Sequence, residues 1–233
     1  MKWISVKSRT LNVITIDGPA ASGKSSVSRE LARLLGWKWL STGAFYRGLA
    51  YVALRENVAD NDVLGLVKLA HSGVWSVRME DDRTRVYYGS EDVTDQILTE
   101  ENGLRASKVS QIPDVRAALL EGQRNCTIGV AGLVAEGRDC GTIVFPNALL
   151  KIYLTASQEE RALRRAKEQG LSVEETQSQQ KVRDKQDSGR QAAPLSIPEN
   201  AKVVDSNGLA LAQVVERIHG WASEAMAQGV KSF

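Results

Sequence analysis

The stretch Gly18-Pro19-Ala20-Ala21-Ser22-Gly23-Lys24-Ser25 constrains this chain more than any other. It matches G-x-x-x-x-G-K-[ST] at every fixed position, a pattern that cradles phosphate when it joins a strand to a helix. Glycines let the backbone curl so that successive N–H groups point inward at phosphate oxygens. Lys24 sets a cation against the β- and γ-phosphates, and the Ser25 hydroxyl is placed to ligate Mg²⁺. The following helix aims its positive dipole end at the anion. The flanks supply the required context. Residues 11–16 are apolar and β-branched and read as a buried strand. Val27, Leu31, Leu34 and Leu35 then recur at helical spacing until Gly36 stops the helix. These residues imply binding of a nucleoside triphosphate.

A chain of 233 residues fits one α/β domain with embellishments. Thirty basic residues stand against 28 acidic ones, a net charge of +2. That balance argues against a protein that coats nucleic acid or lies on a membrane. No apolar run approaches a bilayer span, and the opening residues 1–7 lack a long apolar signal core. Cys126 and Cys140 are far from metal-ligand spacing and read as reduced thiols, so a cytoplasmic protein is expected.

Further along, a strand-like run at 37–40 leads into Ser41-Thr42-Gly43-Ala44-Phe45-Tyr46-Arg47. This is either a helix N-cap with Tyr46 in the core or a second phosphate-holding turn. Residues 60–73 read as a helix, and residues 74–95 alternate as a β-hairpin or small sheet around the turn Glu80-Asp81-Asp82. That hairpin interrupts a helix–strand alternation and reads as an inserted subdomain. Helices are expected over 99–111 and 114–125, the second with Pro113 at its start. A buried strand is expected over 128–135, ending in Glu136-Gly137-Arg138-Asp139-Cys140-Gly141. Ligands of open parallel sheets bind at such strand ends. A strand at 149–155, a capping box Ser157-Gln158-Glu159-Glu160, a helix to about 169, a strand at 201–205 and a closing helix at 208–227 complete the pattern.

Four stretches together resemble the bacterial type of cytidylate kinase. They are 16–25, 42–47, the run Gly137-Arg138-Asp139-Cys140-Gly141-Thr142-Ile143-Val144-Phe145-Pro146, and Arg183-Asp184 with Asp187, Arg190 and Ala193-Pro194-Leu195. The resemblance implies a three-layer P-loop fold with a parallel sheet, an inserted β-containing nucleoside-monophosphate-binding subdomain and a helical lid. It divides the chain into a lead-in (1–10) and one kinase domain (11–233). The core is 11–59, 126–170 and 200–228, the insert about 60–125 and the lid about 171–195. It implies transfer of the γ-phosphoryl group of ATP to CMP or dCMP, with Mg²⁺. Apart from the resemblance, the balanced charge and the lack of an obvious exposed apolar stripe point to a monomer without nucleic-acid or membrane partners. Gly18 to Ser25 would hold ATP. Thr42, Tyr46, Arg47, Ser107, Arg116, Arg138, Asp139, Asp187 and Arg190 would hold CMP, and Lys24, Arg138, Arg183 and Arg190 would serve catalysis. Arginine forks suit phosphate. A carboxylate such as Asp139 suits the cytosine N4 amino group.

Three positions depart from the pattern. Ser41 stands where the family usually has Asp, Gln186 where the lid often has Arg, and Cys140 where an apolar residue is usual. Glu136 is a candidate acid near Mg²⁺. Two alternatives stay open: a kinase for another small acceptor such as UMP or shikimate, and a nucleotide-binding module without transfer activity.

Overall fold

The computed structural model describes residues 12–170, 172–174, 176–177 and 193–230. Five parallel strands form the central sheet, in the order β2-β6-β1-β7-β8. They are β1 (Val13–Asp17), β2 (Lys38–Ser41), β6 (Leu133–Gly137), β7 (Leu150–Thr155) and β8 (Lys202–Asp205). β1 is buried at all five residues. Strand alternation sends Ile14 and Ile16 to one face and Val13, Thr15 and Asp17 to the other.

The first face packs on α1 (Lys24–Leu35) and α8 (Leu211–Val230), with Val27, Leu31, Val214 and Ile218 meeting Ile14, Ile152 and Val204. The second face packs on α2 (Gly43–Arg55), through Phe45, Leu49 and Val52, and on the elements that follow it. Helix, sheet and helix thus make the three layers expected.

Between α2 and β6 lies the insert. It comprises α3 (Val63–Ala70), the antiparallel strands β3 (Trp75–Met79), β4 (Thr84–Tyr88) and β5 (Glu91–Asp92), then α4 (Thr94–Ile97), α5 (Glu100–Val109) and α6 (Pro113–Asn125). It covers the free edge of β2. Thr84 Oγ1 accepts from the Ser41 N–H at 2.9 Å and donates to the Trp39 carbonyl at 3.2 Å. An open strand edge is a liability that this contact removes.

Local signals set most boundaries. Ser157 caps α7 (Gln158–Gln169) by accepting from the Glu160 N–H, but the reciprocal half of the expected capping box is replaced: the Ser157 N–H donates to Asn207 Oδ1 and Glu160 pairs with Arg164. Three expectations shift. The strand expected at 128–135 begins only at Leu133, because Gly129 takes a left-handed φ of +76° that ends extended pairing. The strand also runs on through Glu136 and Gly137. The helix expected over 60–73 shortens to α3, capped by the Asp62 side chain on the Gly65 N–H. The closing helix runs three residues later at each end than expected, as α8. Of the expected lid, Arg183, Gln186, Asp187 and Arg190 lie outside the described residues. Among those described, no helix is long and apolar enough to cross a membrane.

Ile152 is fully buried between the sheet and its α1–α8 layer. Ile152→Ala is expected to lower unfolding free energy by about 2–5 kcal/mol, read as a lower urea midpoint by tryptophan fluorescence with an unchanged slope.

Candidate active site

The phosphate loop leaves β1 at Gly18, whose φ is +151°. A Cβ there would lie 2.0 Å from the Leu154 carbonyl oxygen, so only glycine fits this approach of loop to β7. Ala21 and Gly23 also take positive φ, which alternates peptide directions and gathers N–H groups on one side. α1 begins without a side-chain cap or an acidic first turn, leaving its N–H groups for an anion.

Four of the loop's carbonyls accept from cations. Arg138 donates to Gly18 O at 3.1 Å, Lys24 to Pro19 O at 2.6 Å, Arg161 to Ala20 O at 3.2 Å and Arg164 to Ser22 O at 3.3 Å. Arg161 and Arg164 stand three residues apart on α7, which puts them on one face. The sequence alone assigns neither of them a role. The signal that could have found them is arginine spacing on a helix that must run beside the loop.

A second arm of the site follows β6. Residues Cys140–Val144 form a short π-helical turn, and Arg138 and Asp139 sit between it and the strand. Asp139 is buried and ion-paired with Arg116 of α6 through a short contact to Arg116 Nη2. Arg116 also donates to Ser110 O at 3.1 Å and lies 5.3 Å above the Tyr46 ring. Across from them, Arg47 donates to the carbonyls of Ile97 and Thr99 at 3.0 and 3.4 Å. The Thr42 side chain does not cap its helix; it donates to Glu136 O at 2.9 Å.

Glu136 is buried at the strand end and receives two hydroxyls on one oxygen, Ser25 at 3.0 Å and Ser41 at 2.6 Å. Cys140 is fully buried, and burial with the nearby Asp17 and Asp139 charges pushes its thiol well up. It behaves as the small hydrophobe expected. Asp17 is buried too. Desolvation raises its carboxyl from 3.8 to about 6 against two backbone N–H bonds, with Asp139 pushing up and Lys24 pushing down.

These arms enclose one cleft of about 440 Å³. Ala20, Ala21, Lys24 and Ser25 line one end. Thr42, Tyr46, Arg47, Ser107, Arg138 and Asp139 line the rest. Arg116 stands behind, acting on Asp139 and Tyr46. Gly18, Pro19, Ser22 and Gly23 complete the loop. Arg183, Asp187 and Arg190 lie outside the described residues.

A family model for cytidylate kinase matches residues 14–224. The chain is 61% identical over 206 residues to the cytidylate kinase of Bdellovibrio bacteriovorus, covering 88% of this chain and 95% of that one. It is 43% identical over 211 residues to the cytidylate kinase of Caldanaerobacter subterraneus, covering 88% and 92%. Among solved structures, an uncharacterized protein from Eubacterium ventriosum aligns with a TM-score of 0.51 at 12% identity, over 93% of this chain and 99% of that one. That last likeness concerns the fold alone.

The raised carboxyl of Asp17 carries a stability signature. An acid whose folded pKa exceeds its unfolded value penalises the fold above that pKa, and the penalty fades as pH falls towards the unfolded value. A rise from 3.8 to about 6 corresponds to roughly 3 kcal/mol. Relative to Asp17→Asn, the wild type is therefore expected to gain thermal stability as pH is lowered from 7.5 to 5, measured as the difference between the two melting temperatures.

Proposed function

The chain belongs to the cytidylate kinase family, and from that premise we propose that it transfers the γ-phosphoryl group of ATP to CMP or dCMP, releasing ADP and CDP or dCDP. One observation carries the reading: the phosphate loop and the Arg138–Asp139 arm open into a single cleft. Donor and acceptor phosphates can then meet without leaving it.

ATP takes the loop from Gly18 to Ser25, its β- and γ-phosphates on the loop amides and Lys24. Lys24 gives up its Pro19 carbonyl for the more strongly charged phosphates. The acceptor's α-phosphate takes Arg47 and Arg138, whose planar forks match its oxygens. On the base, Asp139 accepts the N4 amino proton while Arg116 and Ser107 serve the ring's acceptors. The Arg116–Asp139 pair presets these groups before the base arrives. Thr42 and Tyr46 wall the same end. An oxygen of the acceptor phosphate attacks the γ-phosphorus in line as the bond to the bridging oxygen of ADP breaks. The protein's task is to align these groups and to neutralise charge. By resemblance, Arg183, Asp187 and Arg190 complete the site from the lid, where closure excludes water.

Magnesium would be held at Ser25, with Glu136 beside it. The donor set fits: two hard oxygens 3.0 Å apart at the mouth of a phosphate cradle, and Mg²⁺ commonly takes one or two protein oxygens plus phosphates and water. When bound it supplies positive charge to the β- and γ-oxygens. We also take residues 60–125 as the acceptor-binding insert and 171–195 as the lid. The protein is read as a cytoplasmic monomer; the free thiols Cys126 and Cys140 suit a reducing compartment. A UMP-directed kinase or a binder without transfer is less favoured, because Asp139 is an acceptor suited to an amino group and Arg47 and Arg138 both line the cleft.

ADP release with ATP and Mg²⁺ tests the proposal across CMP, dCMP, UMP and AMP. Turnover is expected with CMP and dCMP; a preference for UMP or AMP would sink the base assignment. Lys24→Ala is expected to cost about 100-fold or more in kcat with an unchanged circular dichroism spectrum. Asp139→Asn is expected to raise KM for CMP about tenfold or more while leaving KM for ATP near its wild-type value. The amide is preferred over alanine because truncation would strand the buried Arg116.

A further inference from the structure

Asp17 stands at the junction of the two arms, and nothing in the site's phosphate or base chemistry accounts for it. It is the last residue of β1 and is fully buried. Strand alternation turns its side chain away from the α1–α8 layer and towards the π-helical turn. There Oδ1 accepts from the Cys140 N–H and Oδ2 from the Gly141 N–H, both at 2.7 Å. These N–H groups open the turn, where a helix has no internal partners for its donors. The residue at the N-cap position, Asp139, makes no side-chain cap. A residue more than a hundred positions earlier caps the turn in its place.

The packing shows how closely the contact is built. A Cβ on Gly141 would lie 2.8 Å from Thr15 Oγ1, 2.9 Å from Pro198 Cγ and 3.1 Å from Asp17 Oδ2. The backbone of the turn is therefore pressed against the β1 face with no space to spare. One step along the chain from Asp17 is Gly18, the first residue of the phosphate loop. One step before Cys140 is Asp139. A single carboxylate thus joins the ends of both arms, and the Arg138 bond to Gly18 O forms a second tie beside it.

Ionised, this group is expensive to bury. A neutral amide of the same shape would avoid that cost, but its one oxygen can accept at only one atom while its NH₂ donates. Accepting two backbone N–H groups on two separate atoms requires a carboxylate. We propose that Asp17 is a positioning residue for the phosphoryl acceptor: by holding the N–H groups of Cys140 and Gly141 it keeps Arg138 and Asp139 in register with the phosphate loop. The inference rests on the CMP-kinase reading above and adds to it the device that sets the distance between donor and acceptor.

The test is steady-state kinetics of full-length Asp17→Asn with CMP and ATP varied separately, with circular dichroism as the check on folding. KM for CMP is expected to rise about tenfold or more, with KM for ATP within about twofold of wild type. Gly141→Ala, which displaces the same contact from the other side, is expected to show the same selective loss. Unchanged constants for both substrates would overturn the proposal. So would parallel losses in both, or failure of both variants to fold, since Asp17 would then be a structural residue only. A wild-type chain without CMP-dependent ADP release would overturn the functional reading itself and this proposal with it. A CMP-active wild type with an indifferent Asp17→Asn would remove the positioning role alone.

Discussion

Four cationic side chains bind carbonyl oxygens of the phosphate loop, and the loop's shape depends on that arrangement. A peptide turned so that its oxygen meets Lys24, Arg161 or Arg164 presents its N–H to the other side, whereas Arg138 braces the Gly18–Pro19 peptide, which has no N–H to offer. Charge-assisted bonds of this kind contribute roughly 1.5–3 kcal/mol each, enough to stiffen a loop with three positive φ angles. The sheet order follows from the same need. β1 lies between β6 and β7, so the segment after β6 delivers Arg138 from one side and the helix after β7 delivers Arg161 and Arg164 from the other. A loop at a sheet edge would lack one of these supports.

The site is also a concentration of buried acids. Asp17, Glu136 and Asp139 are all buried, and each is matched by donors: two backbone N–H groups, two hydroxyls and a guanidinium respectively. Buried carboxylates cost stability unless so matched. Ser41 is informative in this light. The family resemblance leads one to expect Asp there, and a carboxylate within hydrogen-bonding reach of Glu136 would repel it. Serine instead donates at 2.6 Å, so Glu136 gains a donor where an aspartate would bring another acid. The departure from pattern is thereby absorbed locally.

Much of this was legible in the residues. The strand, phosphate loop and first helix, the helix cap at Ser157 and the hairpin of the insert are local patterns, read from hydrophobic period and turn chemistry. The strand-end location of Arg138 and Asp139 was legible for the same reason. What escaped was of another kind. Arg161 and Arg164 look like any solvated helix face, yet Arg161 is buried. Asp17 reads as a strand end next to a famous loop and attracts no attention of its own. The strand start at Leu133 was misplaced because Ile128 and Val130 continue the apolar pattern through a left-handed Gly129. Apolar residues there carry no information about chain direction, and Ile128 is 74% exposed.

By itself, then, the sequence determined the chemistry this chain can perform and the class of fold that performs it. A phosphate loop and a Gly-Arg-Asp-Cys-Gly strand end are contiguous words, and contiguous words need only local periodicity to be placed. Tertiary structure decided which charges are buried and which partner each one meets. Asp17 and Cys140 are 123 positions apart, Arg161 and Ala20 are 141 apart, and Ser25 and Glu136 are 111 apart. Partners so distant are brought together by the order of strands in a parallel sheet, which is settled by packing both faces at once and leaves no mark on any single stretch of residues.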